Sequence, residues 1–560
     1  MSKEILKTGY LTKFNQSNDF NLITDRIFFI DGSNQKLTTI PLDILALKEL
    51  EELHLENNQI EDIPPAVQNL TNLRVLYLNK NNLRILCPEL GSLGNLEGLD
   101  LSHNPLLWDS LPVISCLRTL RELRLYHTGL SEIPTVICKA LHHLELFGLA
   151  GNQLESLPKD IVNQTKLREI YLKQNQFKDF PPELCVLYNL EIIDLDENKL
   201  KCIPEEIGNL TRLQKFYLVN NQLSLLPEAL GQCSQLSVLD LSYNLLHALP
   251  RALEELAHMT EVGLSGNRLD KVPRPVCKWT ALHVLYLSNT GLGALRSSFR
   301  RLVNLRSLDL SQNLLDHFPM QICALKNLEV LALDDNEIRQ IHLDLSPLVK
   351  LKTLGLTGNE FTSFPEEIFS LPSLEKLYLG QDQGSKLNFI PENIGKLQNL
   401  KELYIENNLL EYLPASLGSM PNLEILDCRH NLLKQLPDAI CQAQGLTELL
   451  LEDNLLTCIP EDLDCLVNLK VLTLTDNPMT DPPMEVCAEG NEAIWAYLKE
   501  NRAQKIRAIK LQAWWRAVMV RKGLGRFEEF IRSRRKGKIS PKDKKGNKQG
   551  KEKRGKGHKK

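Results

Sequence analysis

The sequence predicts an α/β fold: a curved solenoid with about twenty short parallel strands on its concave face, followed by a C-terminal helix and a disordered basic tail. Three observations predict the array. A motif recurs with a period of 23 residues, each copy has the apolar alternation of a short strand, and a proline follows most copies at a fixed distance. Such a period is typical of repeat architectures, in which each repeat buries its apolar face only against its neighbours.

The repeat is anchored on an asparagine. Segments 50–64 (LEELHLENNQIEDIP) and 236–250 (LSVLDLSYNLLHALP) share the outline L-x-x-L-x-L-x-x-N-x-L-x-x-L-P. An asparagine amide both donates and accepts, so a column of asparagines can bond the backbone of adjacent turns. The anchors are 23 residues apart, except for two steps of 24 and one of 26, and they are Asn58, Asn81, Asn104, Thr128, Asn152, Asn175, Asn198, Asn221, Asn244, Asn267, Thr290, Asn313, Asn336, Asn359, Asp382, Asn408, Asn431, Asn454 and Asn477. Weaker turns are predicted where another residue stands at the anchor, at Gln35, Thr128, Thr290 and Asp382.

Apolar residues, prolines and cysteines define the rest of each repeat. Leucines eight, five and three residues before the anchor predict a short strand with apolar side chains inside the coil. A proline six residues after most anchors, often followed by acidic residues, predicts the first position of a short helix on the convex side. Six of the 13 cysteines recur at one repeat position, which predicts small buried thiols in a reducing intracellular compartment. These six are Cys138, Cys185, Cys277, Cys323, Cys441 and Cys487.

These repeats resemble the leucine-rich repeat family, in its intracellular form with 23-residue repeats, over about residues 25–490. The resemblance implies a horseshoe with parallel strands on its concave face. Segment 477–500 resembles the closing cap of such an array, with Ile494, Trp495 and Leu498 covering the last turn. Residues 1–24 are expected to form an N-terminal lead-in or cap.

One strand position is predicted to face a partner. The residue four before the anchor lies between two buried leucines and points to the concave face, through which solenoids usually bind. Half of the 12 tyrosines fall in this column, and tyrosine is enriched in binding hot spots. The column predicts a surface for a protein partner with basic groups, although the same residue types are common at this position of leucine-rich repeats generally. It comprises Tyr77, Asp100, Tyr171, Asp194, Tyr217, Asp240, Tyr286, Asp309, Tyr378, Tyr404 and Asp427.

An insertion of three residues interrupts the period between Tyr378 and Pro391, and it contains Gly380 and Gly384. It predicts a loop at one rim of the array. A tolerated surface insertion is the favoured interpretation, because a longer loop costs little free energy. A specificity loop is the alternative.

A different motif follows the repeats. Segment 505–524 (KIRAIKLQAWWRAVMVRKGL) lies in a stretch of helical pattern that has no proline until Pro541. It resembles a complete IQ motif, the helix recognised by calmodulin and its EF-hand relatives, with Ala517 where that family prefers glycine. The resemblance implies that Gln512 hydrogen-bonds the linker of an EF-hand lobe and that two arginines pair with its carboxylates. The predicted calmodulin-binding residues are Leu511, Gln512, Trp515, Arg516, Ala517, Met519, Arg521 and Leu524.

The IQ-like segment also has the 1-5-10 spacing of bulky anchors found in calcium-loaded calmodulin targets, at Trp515, Met519 and Leu524. On a helix, Trp515 shares one face with Leu511, Val518 and Met519. Trp514 points elsewhere and is expected to pack against the end cap of the array. The alternative is a basic amphipathic helix that caps the solenoid or touches a membrane.

Charge divides the chain into an acidic body and a basic end. The net charge of the whole chain is −4, but residues 505–560 contain 22 Lys and Arg against 4 Asp and Glu. We therefore predict an array at 25–490, a capping and IQ-motif helix at 491–531, and a disordered polybasic tail at 532–560. A solvated tail without a partner is the favoured interpretation. The alternatives are binding to anionic lipid, nucleic acid, the acidic tails of tubulin, an import receptor or the acidic array itself.

No catalytic motif, metal-ligand spacing, signal peptide or transmembrane run is found in the sequence. We predict a non-catalytic scaffold without cofactors or a small-molecule substrate, cytoplasmic and, by family analogy, ciliary, axonemal or centrosomal. It would bind a protein on the repeat face and calmodulin or a related EF-hand protein on the helix. The alternatives are a signalling scaffold for a small GTPase or phosphatase, with the IQ helix incidental, and an association with membrane, tubulin or nucleic acid driven by the tail.

Overall fold

The computed structural model describes residues 27–341, 343–382 and 384–522. Twenty strands form one open parallel sheet, in which each strand pairs with the next along the chain. The register advances by one repeat per strand, so that Val238 lies opposite Lys215 on one side and Glu261 on the other. This sheet confirms the predicted solenoid. In chain order, β1 to β20 are Phe29–Asp31, Glu52–His54, Val75–Tyr77, Gly98–Asp100, Glu122–Arg124, Leu146–Gly148, Glu169–Tyr171, Ile192–Asp194, Lys215–Tyr217, Val238–Asp240, Glu261–Gly263, Val284–Tyr286, Ser307–Asp309, Val330–Ala332, Thr353–Gly355, Lys376–Tyr378, Glu402–Tyr404, Ile425–Asp427, Glu448–Leu450 and Val471–Thr473.

Short helices follow most strands on the opposite side of the array. Three are α-helices: α1 Leu42–Leu45, α2 Thr135–Ala140 and α3 Met484–Ala488, and a long α-helix, α4 Asn491–Arg521, follows the last of them. The others are 3₁₀ helices: Pro65–Asn69, Pro88–Ser92, Trp108–Cys116, Lys159–Asn163, Pro182–Val186, Glu205–Asn209, Glu228–Gln232, Arg251–Glu255, Pro275–Lys278, Ser297–Arg301, Met320–Ala324, Glu366–Ser370, Glu392–Lys396, Ala415–Ser419, Asp438–Gln442 and Leu463–Cys465.

The repeat proline stands one residue earlier than predicted. In most repeats it is the N-cap rather than the first helical residue, as Pro204 is for Glu205–Asn209. Its φ of −74° and ψ of 156° are extended, and its carbonyl accepts the N–H of Ile207 at 3.2 Å. The fixed φ of proline therefore directs the chain out of the strand side and into the 3₁₀ turn.

The core is a continuous column of leucine, isoleucine and phenylalanine side chains, with the middle residue of almost every strand fully buried. Within it the anchor asparagines form the predicted ladder. Asn244 Nδ2 donates to the carbonyl oxygens of Leu218 at 2.8 Å, Leu241 at 2.9 Å and Ser242 at 3.3 Å. Its Oδ1 accepts the N–H of Leu223 at 3.0 Å. One amide thus bonds its own turn and the preceding turn, because it both donates and accepts.

The threonine anchors keep part of this network, as predicted. Thr290 Oγ1 donates to the Leu287 carbonyl at 2.8 Å and lies 3.0 Å from Asn313 Oδ1. The prediction for Asp382 is wrong, because that residue is exposed and bonds Asn407, whereas Gln381 is fully buried. The neutral amide of Gln381 enters the core in place of a carboxylate, but neither of its polar atoms has a hydrogen-bond partner within the described residues, so the asparagine ladder is interrupted at this turn. A buried charge would cost far more.

Cysteines of the repeat column are less uniformly buried than predicted. Cys138, Cys185 and Cys277 are buried, whereas Cys323 and Cys441 are only partly buried, as is the sixth, Cys487. Burial raises the pKa of the Cys138 thiol to about 12, so this thiol stays protonated at neutral pH.

The last repeat is closed by α3 and α4. Ile494 and Leu498 are 1% and 4% exposed, and Trp495 packs against the same core, which confirms the predicted cap residues. Asn491 Nδ2 donates to the Lys470 carbonyl at 2.8 Å and fixes the start of α4 beside β20. The boundaries predicted after residues 24, 490 and 531 remain predictions, and residues 1–24 and 532–560 lie outside the described part.

Candidate binding surfaces

The concave face is built from the first and third residues of each strand, which point away from the core on either side of a buried central residue. All ten Tyr and Asp positions predicted between Tyr77 and Tyr404 lie at the third position, half-buried or slightly more exposed. Their neighbours in space come from adjacent turns. The rings of Tyr378 and Tyr404 stack, with centroids 4.6 Å apart and an interplanar angle of 5°.

The aspartates of this column also serve the backbone. Oδ1 of Asp240 accepts the N–H of Ser242 at 3.0 Å, and Oδ1 of Asp309 accepts that of Ser311 at 2.9 Å. The second carboxylate oxygen stays available. Asp427 differs, because it is 1% exposed and both of its oxygens accept hydrogen bonds from Arg429. Asp427 therefore does not offer a free carboxylate, contrary to the prediction for its column.

A second column of side chains, which the sequence pattern of the strands alone does not predict, lies on the same face. Residues two before the anchor follow each strand and include Tyr126, Lys173, Asp196, Asp334 and Glu406. The period-2 alternation of a strand, continued past its end, is the sequence signal that would have found them. Arg124 also lies four residues before its anchor, but the predicted column did not include it, because that column was defined by Tyr and Asp.

The middle of the concave face is strongly acidic. Burial, followed by the charge of Asp194, raises the pKa of Asp196 to about 7. Burial raises the pKa of Asp334 to about 6, and nearby Asp335 and Asp309 add to that rise. Carboxylates placed this close disfavour one another's charged forms. A cation that entered this part of the face would relieve that repulsion.

Strand glycines leave room for these side chains, as Gly355 does for the Asp334 carboxylate. A Cβ at Gly263 would collide with the Asp240 carboxylate, and a Cβ at Gly148 would collide with the ring of Tyr126. The neighbouring side chains therefore lie flat across the backbone at these positions. A larger residue at any of these glycines would force them away from the sheet.

The second surface is α4, whose first half is fixed to the last repeats. Arg502 pairs with Asp464 and, at 3.1 Å, with Asp462, while Lys505 pairs with Glu461. Asn501 Nδ2 donates to Asp481 Oδ1 at 3.3 Å. The side chain of Asp464 is only 6% exposed, so its pairing with Arg502 is the most shielded of these contacts.

Beyond Lys505 the helix leaves the array. Every residue from 506 to 517 is exposed, and Val518 and Met519 are intermediate. Trp515 is 55% exposed, so its side chain is accessible to a partner. Trp514 is 61% exposed, so the expectation that it packs against the end cap is wrong. Leu524, the last predicted calmodulin-binding residue, lies outside the described residues.

Apolar side chains occupy two opposite faces of this free segment. At 3.6 residues per turn, the side chains of one face fall within about 120° of one another and those of the other face lie about 180° away. The first face comprises Leu511, Trp515, Val518 and Met519. The second face comprises Ile506, Ile509, Ala513 and Val520. Gln512 and Arg516 lie together on one flank between the two faces.

Twenty parallel strands with an asparagine ladder define a leucine-rich-repeat solenoid, and comparisons with known proteins agree. Profiles described as leucine-rich repeat region match residues 274–411, and those described as leucine rich repeat match 33–106, 165–223 and 421–479. Leucine-rich repeat and IQ domain-containing protein 4 of Mus musculus is 74% identical over all 560 residues, which span 94% of that protein. The Homo sapiens protein of the same name is 70% identical over 188 residues, 34% of each chain.

The chain belongs to the leucine-rich repeat and IQ domain-containing proteins. Solved structures share the fold. The ectodomain of the Arabidopsis thaliana receptor kinase GASSHO1/SCHENGEN3, in complex with Casparian strip integrity factor 2, matches with a TM-score of 0.62 at 29% identity, over 81% of this chain and 59% of that chain. The Arabidopsis receptor kinase HAESA, in complex with a peptide hormone and a co-receptor, matches with a TM-score of 0.57 at 28% identity, over 81% and 83%.

Within the part of the chain that the structure describes, none of the helices combines the length and the apolar character that crossing a membrane requires.

Proposed function

We propose that this protein is a non-catalytic scaffold that holds a protein partner on its concave face and calmodulin or a related EF-hand protein on α4. The observation that carries the proposal is the free segment 506–521 of α4, which is helical, apolar on two faces and exposed along most of its length. Apolar groups held in water in this way are typical of a surface that a partner covers.

The chemistry of the free segment fits an EF-hand partner. Trp515 offers a large side chain to an apolar groove, which is how amphipathic helices enter EF-hand lobes. Its basic residues, among them Arg516 and Arg521, match an acidic partner. A partner with two lobes can cover both apolar faces. The mouse relative is named as an IQ domain-containing protein, and this name supports the same assignment.

The concave face supports the second half of the proposal. The stacked rings of Tyr378 and Tyr404 supply rigid contact area. Elsewhere on the face, Asp240 forms no ion pair within the described residues and favours a cationic group. The two receptor kinases of similar fold are described as complexes with Casparian strip integrity factor 2 and with a peptide hormone, respectively. We propose that this chain likewise receives a protein segment, one with basic side chains.

Two adjacent tryptophans test the α4 assignment. Trp515→Ala in the full chain should weaken calmodulin binding about 30-fold or more, since an anchoring aromatic residue contributes at least ~2 kcal/mol. Isothermal titration calorimetry with calmodulin, with calcium and with chelator, measures the loss.

Trp514→Ala is the matched control, because the two side chains are equally exposed and about 100° apart on the helix. It should keep most of the affinity. Equal losses in both variants, or no binding by the unmodified chain in either buffer, would refute the assignment.

A further inference from the structure

The middle of the concave face carries an excess of negative charge. We define the acidic band as the six carboxylates that point to this face from β8 to just after β14. They stand at the first or third strand position or two residues past the third. The acidic band consists of Asp194, Asp196, Asp240, Glu261, Asp309 and Asp334. Lys215 is the one cation at the corresponding positions of β8 to β15.

Little positive charge within the described residues neutralises the acidic band. Lys173 approaches Asp196 at 3.8 Å, but it lies closer to Glu197, at 3.0 Å. Asp240, Glu261 and Asp309 form no ion pair with any residue in the described ranges. Their only hydrogen bonds come from backbone N–H groups, where they form any.

The ring of Tyr217 stands among these charges. Burial raises the pKa of the Tyr217 hydroxyl, and Glu261, Asp194, Asp196 and Asp240 each raise it further. The carboxylates therefore converge on a shared strip of surface rather than pointing apart. An extended chain with closely spaced cations would match that strip, because each cation meets a carboxylate and each aliphatic stem meets a ring.

The chain itself contains a segment of this chemistry. Residues 532–560 hold 15 Lys and Arg against 2 Asp and Glu. The 38 residues after Lys522 have a contour length of up to ~125 Å. The way from β20 back to β14 is six strand spacings, or ~29 Å, and to β8 it is ~58 Å. The free part of α4 adds ~24 Å to this path. The contour length still exceeds the total, so the basic residues can reach the acidic band.

Tethering favours this segment over a free one. A covalently linked ligand meets its site at an effective concentration near the millimolar range, which is enough to hold a weak electrostatic contact. We propose that residues 532–560 occupy the acidic band of the same chain until a protein partner displaces them. This inference rests on the concave-face half of the proposed function and names what covers that face beforehand.

Lysine footprinting of the full chain tests the contact. Lysines in 532–560 should be acetylated at least ~3-fold more slowly in ~20 mM salt than in ~500 mM salt, where the Debye length falls to a few Å. In the variant Asp240→Asn, Asp309→Asn and Asp334→Asn the protection should disappear at low salt. Asparagine keeps the Oδ1 acceptor that bonds the backbone at each site, so the fold is retained.

A charge-matched control is the variant Glu255→Gln, Glu337→Gln and Glu366→Gln, which changes three exposed acids outside the concave face. This variant should keep the protection of the lysines.

Carbodiimide cross-linking of mixed ¹⁴N and ¹⁵N chains then separates a contact within one chain from a contact between two. Cross-links from 532–560 to the acidic band should join residues of the same isotope only. Mixed cross-links, or equal lysine reactivity in all three proteins, would overturn the proposal. Neither result would touch calmodulin binding by α4 or partner binding at the concave tyrosines, which are measured separately.

Discussion

Each anchor asparagine joins two turns of the array through a single side chain. The Asn244 amide donates to three carbonyls that also accept other hydrogen bonds, and it is the only partner, among the described residues, of the buried Leu223 N–H. Leaving such groups unpaired costs ~1–3 kcal/mol each. The asparagine ladder therefore fixes the spacing between adjacent turns, while the leucines fill the core inside each turn.

Two substitutions of one anchor asparagine should lower the stability of the array by different amounts. Asn244→Ala should destabilise the array by ~2–4 kcal/mol, because the buried Leu223 N–H loses its partner and three carbonyls each lose one of their hydrogen bonds. Asn244→Thr should cost less, since Thr290 shows that a hydroxyl at this position still donates to the turn carbonyl. Urea unfolding and hydrogen exchange of residues 218–246 measure both. Equal effects of the two variants would contradict this role of the amide.

A second residue-scale prediction concerns pH. The pKa of Asp196 is about 7 in the folded chain, above the ordinary 3.8, so the folded state binds the extra proton between these values. Stability is consequently lost as pH rises through that window. Asp196→Asn keeps the acceptor for the Val219 N–H and removes the charge, and it should stabilise the protein by ~1–3 kcal/mol at pH 8 but little at pH 4.

The control for this prediction is Asp344→Asn. Hydrogen bonds from Ser346 lower the pKa of Asp344, so this carboxylate contributes no loss of stability on raising the pH. Thermal unfolding of both variants at pH 4, 6 and 8 measures the difference. A gain for Asp196→Asn that is the same at every pH would show that charge is not its cause.

At the scale of elements, α4 is one continuous helix with two environments. Its first two turns and a half bury Ile494 and Leu498 in the array, and the segment after Lys505 is exposed. Arg502 stands at the border between them. An EF-hand protein bound to the free segment would thus be carried on a rigid extension of the array rather than on a loose linker.

Removing the border contact should loosen the cap. Arg502→Ala leaves the Asp464 carboxylate, 6% exposed, without its cation, at a cost of ~1–3 kcal/mol. Hydrogen exchange should accelerate across residues 461–500 and remain unchanged in the middle of the array. Arg516→Ala is the matched control on the same helix, because Arg516 is exposed and forms no ion pair within the described residues. Acceleration in both variants would argue against a specific clamp.

The periodic elements were predictable and the irregular ones were not. Regular spacing placed all twenty strands, because each anchor and leucine has the same neighbours in every turn. The insertion breaks that equivalence, so Gln381 rather than Asp382 enters the core. Sequence spacing fixed the direction of Trp514 on its helix, but not how far α4 extends beyond the array. The acidic residues two before the anchor were overlooked because the strand pattern was read only to the strand's end.

At the scale of the whole molecule, the two candidate surfaces are distinct in place and chemistry. The concave face presents tyrosines and carboxylates across many turns, whereas α4 presents a basic apolar helix at the C-terminal end. In a solenoid each repeat touches only its neighbours, so changes in the middle of the array do not alter the end. The two binding events should therefore be separable by substitution.

Concave tyrosines provide that separation. Tyr171→Ala, Tyr217→Ala and Tyr286→Ala together should abolish recovery of the concave-face partner while calmodulin binding is unchanged, because hot-spot aromatic residues dominate interface energy. Quantitative mass spectrometry of co-purified proteins measures the loss. The control is Tyr188→Ala, Tyr243→Ala and Tyr412→Ala, three tyrosines that are 59%, 56% and 52% exposed outside this face. Equal losses with both sets would show that the concave face has no special role.

The central claim is that α4 carries an EF-hand protein, and calorimetric titration of the full chain with calmodulin in chelator tests it most directly. We predict binding of one calmodulin per chain, weakened at least tenfold by Gln512→Ala, which removes the amide but leaves both apolar faces intact. Binding only with calcium, lost in Trp515→Ala, would keep the partner but make the scaffold calcium-switched. No heat in either buffer would contradict the claim, and the repeat array alone would then have to account for function.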